Sequence, residues 1–119
     1  MTDRPMQEPT LLLLTALADQ PRHGYAIVQE VLGISGGRVR LRTGTLYGAL
    51  DRLVQQELIQ VHGEEVVDGR TRISYALTAA GRDVLGAEAA RLRSTAAEAE
   101  RRLGLPSLRS VPNPKGALA

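Results

Sequence analysis

The sequence predicts a mainly α-helical fold with one small β-hairpin and a long C-terminal helix. Three observations carry that prediction. Apolar residues recur at helical spacing in four separate stretches, and the last of these runs from about Ala79 to Leu103. One stretch alternates with period two around an Asp68-Gly69 pair, the signature of a tight hairpin. The chain has 119 residues, 43% of them hydrophobic but only 3% aromatic, with no Phe and no Trp. One small domain with an appended helix fits that length, and a core of Leu, Val, Ile and Ala favours helices packed closely through small residues.

Residues 1–8 are polar and contain Pro, and are expected to fray. Pro9 and Thr10 open a first helix through Asp19, with Leu11, Leu14, Leu17 and Ala18 on one face and Leu12 and Leu13 widening it. Such a broad stripe calls for neighbours on more than one side. Gln20 to Gly24 reads as a turn. A second helix spans about Tyr25 to Leu32 and is ended by Gly33, Gly36 and Gly37. That glycine cluster is not a phosphate-binding P-loop, because no Lys-Ser/Thr follows it and no strand precedes it.

The centre of the chain is Arg38 to Leu58. Arg38, Arg40 and Arg42 alternate with apolar residues, which predicts a short strand over Arg38–Leu41, and no acidic residue stands between Glu30 and Asp51. A third helix follows, with Leu46, Ala49, Leu50, Leu53 and Val54 on its buried face and Thr45, Gly48, Arg52 and Gln56 opposite. Thr43 is the expected N-cap, which would leave the positive helix end and its free amides beside the arginines. A helix of this kind can meet a phosphate backbone and put short side chains against base edges. A plain core helix after a basic loop would look similar, so the context decides.

That context is the hairpin. Ile59 and Val61 alternate on the way in, Ile73, Tyr75 and Leu77 on the way out, and Arg70 and Arg72 lie on the opposite face just past the turn. A hairpin with arginines near its tip, directly after an amphipathic helix, is the wing of a winged helix-turn-helix. Glu64, Glu65 and Asp68 oppose this reading, since they repel phosphate, and they limit the wing to partial contact. Thr78 caps the long helix, in which Leu85, Ala89, Leu92, Ala96, Ala99 and Leu103 follow a heptad seam. The helix is about twice as long as so small a domain needs at ~1.5 Å rise per residue. Dimerisation is the expected use, and a helix folded back on its own domain is the alternative. From Gly104 the chain is rich in Pro, Gly and Ser and is expected to be disordered. The expected domains are thus a flexible 1–8, a DNA-binding 9–78, a dimerisation helix 79–103 and a tail 104–119.

Composition excludes several function classes. The net charge is only +2, so bulk charge argues little for nucleic acid. Fourteen of the fifteen basic residues are Arg, suited to bidentate phosphate and guanine contacts, although a GC-rich genome would produce the same bias. With no Cys there are no disulfides or thiolate metal sites, and His23 and His62 are too few and too far apart for a metal cluster. No cofactor is expected. No nucleophile-base grouping points to an enzyme. The N-terminus has no signal-peptide pattern and Leu11 to Leu14 cannot span a bilayer, so a cytoplasmic protein without membrane contact is expected.

Four segments give the chain a family resemblance: His23 to Tyr25 (HGY), Gly44 to Leu50 (GTLYGAL), Leu58-Ile59, and Arg70 to Arg82 (RTRISYALTAAGR). The chain resembles the PadR family of bacterial transcriptional regulators in its short form with a single C-terminal helix, and the resemblance extends over about residues 11–103. Two departures stand out. The family usually has Pro where Gly48 stands, and Gly where Glu57 stands. The resemblance implies a homodimeric winged-helix repressor whose third helix enters the major groove of double-stranded DNA. Tyr47 matches the family's helix tyrosine near DNA, Thr43 and Thr45 the small polar positions at the helix start, and Arg70 and Arg72 the basic wing positions. Arg38, Arg40 and Arg42 complete the expected DNA-binding set from their own pattern. His23 and Tyr25 are expected to be structural, tying the second helix to the others. The family also implies a small-molecule effector, which no residue identifies. A tryptophan-lined drug pore at the dimer interface is not expected, because Trp and Phe are missing. The competing function is a winged-helix module that binds proteins without reading DNA sequence.

Overall fold

A computed structural model describes residues 6–106. The frayed N-terminus and disordered tail expected from the sequence lie largely outside the described residues. The elements run α1 (Glu8–Ala16), β1 (Arg22–His23), α2 (Gly24–Ile34), α3 (Thr43–Gln55), β2 (Ile59–Val67), β3 (Arg70–Leu77) and α4 (Ala79–Leu103). The fold is mainly α with a hairpin wing, as the periodicities predict. Two compact units divide the chain between Gly86 and Ala87, inside α4.

The core of the first unit contains no Phe or Trp. Leu13, Leu14 and Leu17 from the α1 segment, Ile27 and Val31 from α2, and Leu46, Leu50 and Leu53 from α3 are almost fully buried, and Ile59, Tyr75 and Leu77 close the core from the hairpin. Burial of three consecutive leucines, Leu12 to Leu14, explains the broad α1 stripe, because that helix is covered on several sides. α1 stops at Ala16, earlier than its apolar pattern suggests. Leu17 and Ala18 turn back through tighter bonds to the Leu14 and Thr15 carbonyls, and Arg22 Nε donates to the freed Ala16 carbonyl at 2.8 Å.

α2 runs through Gly33, which therefore lies inside the helix and does not end it. Its stop comes at Gly36, with φ +64°, where Gly36 N–H donates to Gly33 O and Gly37 N–H to Leu32 O. α3 ends with the same pair of bonds, Glu57 N–H to Val54 O and Leu58 N–H to Leu53 O, but the left-handed position is held by Glu57 at φ +63°. Gly104, at φ +74°, ends α4 likewise.

The sheet is antiparallel in the order β1-β3-β2. The predicted strand over Arg38–Leu41 does not form, since that segment finds no strand to pair with. Instead Arg22 and His23 add a two-residue strand to the free edge of β3, opposite Tyr75 and Ser74. β2 and β3 pair from Ile59↔Leu77 to Val67↔Arg70, with an irregularity between Val61 and Gly63. Asp68 and Gly69 both take positive φ, as a two-residue hairpin turn requires. Only the end near the helices is buried. Ile59 belongs to the core while Val61, its alternation partner, is 53% exposed, although Tyr75 across the ladder from Val61 is buried.

Thr78 is the hinge between hairpin and α4. Its Oγ1 accepts from Gly81 N–H at 2.9 Å and donates to the Glu57 carbonyl at 2.7 Å, capping α4 as expected and tying it to the end of α3. Gly81 is a close-approach position, where a Cβ would run into the Leu58 carbonyl.

Candidate nucleic-acid interface

The basic segment is anchored before it is presented. Val39 N–H donates to the Ser35 hydroxyl at 3.0 Å, and that hydroxyl donates to Leu32 O at the end of α2. Val39 and Leu41 pack against the core, so Arg38, Arg40 and Arg42 are turned outward. The alternation that suggested a strand is thus real, although the backbone is irregular. Arg38 is held by an exposed bidentate pair to Glu8, at 2.6 and 3.3 Å. Hydrogen bonding to Arg38 lowers the Glu8 pKa from its ordinary value, and the same bonds raise that of the Arg38 guanidinium. Arg40, Arg42 and Arg70 make no ion pair with a described residue.

The helix start differs from expectation by one residue. Arg42, extended at φ −86° and ψ 155°, is the N-cap, and Thr43 is already helical. Arg42 supplies no side-chain acceptor, so the first amides of α3 are left open to an outside partner. Along α3 the two faces divide as the spacing predicts. Leu46, Ala49, Leu50 and Leu53 are buried, while Thr45, Gly48, Arg52 and Gln56 are exposed. Thr45 and Arg52 line a hollow with Pro9 and Thr10 of α1, and Tyr47 lines another on the wing side. The ridge between them carries Gly44 and Gly48, where an added Cβ would meet nothing within 4 Å.

Tyr47 is 42% exposed, so it is neither a core aromatic nor a free one. Its hydroxyl lies where a Cβ at Gly24 would have to stand. Beneath it Tyr75 is buried, and burial, followed by the neighbouring Tyr47 and Asp51, raises the Tyr75 pKa. On the wing, Arg70 and Arg72 are exposed, with Val67 and Glu65 as their register partners. Glu64, Glu65 and Asp68 are exposed too, so the opposing charge noted in the sequence is at the surface.

Sequence reasoning missed how His23 and Tyr25 relate to this surface. His23 does have a structural part, since its Nδ1 faces Ala26 N–H at the start of α2. Its Nε2, however, lies 3.4 Å from Arg72 Nη1, and Tyr25 is 68% exposed instead of tying helices together. His23, Tyr25, Tyr47, Thr71 and Arg72 share one hollow of about 260 Å³. The adjacency of HGY was visible in the chain, but its meeting with residues 47 and 72 depends on β1 pairing with β3.

In the second unit, Ala89, Leu92, Ala96, Ala99 and Leu103 of the expected dimer seam are exposed, Leu92 at 40% and Leu103 at 71%. Leu85, the first seam residue, packs partly buried against the core of the first unit. Glu98 is held by Arg101 at 2.5 Å and Arg102 at 2.7 Å, polar contacts that flank the seam. Among the described residues, no group of three or more His, Cys, Asp or Glu is placed to hold a metal, and no helix is long and apolar enough to cross a membrane.

Two helices joined by an anchored turn, followed by a hairpin and a basic segment at the second helix start, define a winged helix-turn-helix protein. The chain belongs to the PadR-like family of transcriptional regulators, whose family model matches residues 13–87. It is 39% identical over 88 residues to the transcriptional regulator Rv3488 of Mycobacterium tuberculosis, covering 74% of this chain and 78% of that protein. It is 47% identical over 79 residues to an uncharacterized 37.1 kDa protein of transposon TN4556 from Streptomyces fradiae; the match covers 66% of this chain but only 21% of that longer protein. A PadR family transcription regulator from Clostridium difficile has the same fold, with a TM-score of 0.67 at 23% identity, covering 82% of this chain and 98% of that one. Members of the family are transcriptional regulators of the winged-helix DNA-binding type and not enzymes.

Proposed function

We propose that the protein binds double-stranded DNA sequence-specifically as a homodimer and acts as a repressor. The observation that carries this reading is the surface made by α3 and the segment before it. A bare glycine ridge at Gly44 and Gly48, open helix amides and the outward Arg40 and Arg42 are what close approach to a phosphate-lined groove needs. In this reading residues 9–78 hold the duplex. Arg38, Arg40, Arg42, Arg70 and Arg72 meet phosphates, while Thr43, Thr45 and Tyr47 reach toward base edges. The helix 79–103 joins two copies through its seam, because its exposed apolar positions at heptad spacing are best buried against a second such helix.

Two copies joined in this way present two α3 helices to half-sites about one helical turn, ~34 Å, apart. A small-molecule effector would act by changing that separation, and a cytoplasmic location goes with binding to genomic DNA. The exposed Glu64, Glu65 and Asp68 favour the alternative, a winged-helix surface that meets a basic protein. Selection from a random duplex library separates the readings. Enrichment of an inverted repeat with half-sites one turn apart supports the dimeric DNA reader. Absence of any enriched sequence contradicts it and favours the protein-binding alternative.

A further inference from the structure

The hollow shared by α2, α3 and the wing has more hydrogen-bond donors than acceptors. A neutral imidazole carries one ring N–H and one lone pair, and an imidazolium has no lone pair. His23 nevertheless has two donors aimed at it, Ala26 N–H at Nδ1 (3.5 Å) and Arg72 Nη1 at Nε2 (3.4 Å). It can accept from only one of them. When Nδ1 caps α2, the proton sits on Nε2, and Nε2–H and the Arg72 guanidinium become two donors 3.4 Å apart with no acceptor between them. That spacing is what a single external oxygen can bridge.

The rest of the lining agrees. The hydroxyls of Tyr25, Tyr47 and Thr71 make no hydrogen bond with a described residue, and no carboxylate lines this hollow. Glu64 and Glu65 border the adjoining hollow beyond His23, and Arg72 forms no ion pair with either of them, although Glu65 is its register partner. Ile73 and the two tyrosine rings add apolar surface around the donors.

We infer that this hollow seats one backbone phosphate of the bound duplex. Arg72 and His23 Nε2–H grip the phosphate, and the Tyr25 hydroxyl closes the seat from the α2 side. His23 and Tyr25 thereby join the DNA-binding surface. The inference rests on the DNA-binding reading and adds a positioning contact between the recognition helix and the wing.

The test is a double-mutant cycle on the full chain, with Tyr25→Phe, Arg72→Ala and the double variant. Each is titrated with the enriched duplex and a scrambled one across a salt series. Tyr25→Phe should weaken both duplexes by a similar factor, about fivefold, without changing the salt slope. Arg72→Ala should weaken both by about tenfold and lower the slope by about one. If both residues hold one phosphate, the double variant should be little worse than Arg72→Ala alone. Wild-type affinity in Tyr25→Phe, or penalties that simply multiply, would overturn the phosphate seat while leaving the DNA reading intact. A wild-type protein that binds neither duplex would overturn both. Tyr25 is exposed, so its loss of one oxygen leaves the fold standing, which a thermal melt checks.

Discussion

Glu8 occupies two of the five N–H donors of Arg38 and offsets the charge that a phosphate would meet. The pair is exposed, so its contribution to folding is small, but it competes directly with DNA for the guanidinium. Glu8→Gln should therefore tighten duplex binding about two- to threefold and steepen the salt dependence, an effect that Arg38→Ala should abolish. Unchanged binding in Glu8→Gln would remove Arg38 from the phosphate contacts. Glu57 poses a different residue-scale question. A side chain in the left-handed region is strained by roughly 1 kcal/mol, and a glycine there relieves the strain without disturbing the two bonds that end α3. Glu57→Gly should raise the melting temperature by several degrees, with DNA affinity unchanged. A lower melting temperature would mean that Glu57 makes compensating contacts.

At the scale of elements, the first turn of α4 is the critical joint. Gly81 lets that turn sit against the Leu58 carbonyl while Thr78 spans both segments. Gly81→Ala must push backbone against backbone, and should cost about 2 kcal/mol or more in a denaturant titration, despite the better helix propensity of Ala. A neutral effect would mean that α4 can lift off at little cost. The contrast between elements also shows what a sequence can display. α3 was legible because one face is buried and the other is open, so burial writes a 3.6-residue period directly into it. The hairpin was legible because Asp68-Gly69 admits only a turn. β1 was not legible, because two residues have no period and its strand character comes entirely from the edge of β3, some 50 residues away. The same pairing brings His23 to Arg72, which is why the HGY segment read as structural. The Arg38–Glu8 pair, 30 residues apart, was hidden for a similar reason.

For the molecule as a whole, operator binding in this reading needs two recognition helices acting together. Leu92→Asp places a charge in the exposed seam of α4, outside the buried core cluster, and should yield folded monomers by sedimentation. Losing the second half-site contact should weaken operator binding about a hundredfold or more. A variant that stays dimeric would move the partner contact elsewhere. The decisive measurement is fluorescence anisotropy of the library-enriched duplex against a scrambled duplex, across a salt series. A dimeric sequence reader should show steep salt dependence with both duplexes and much tighter binding of the enriched one at physiological salt. Equal, weak binding of both would contradict that reading.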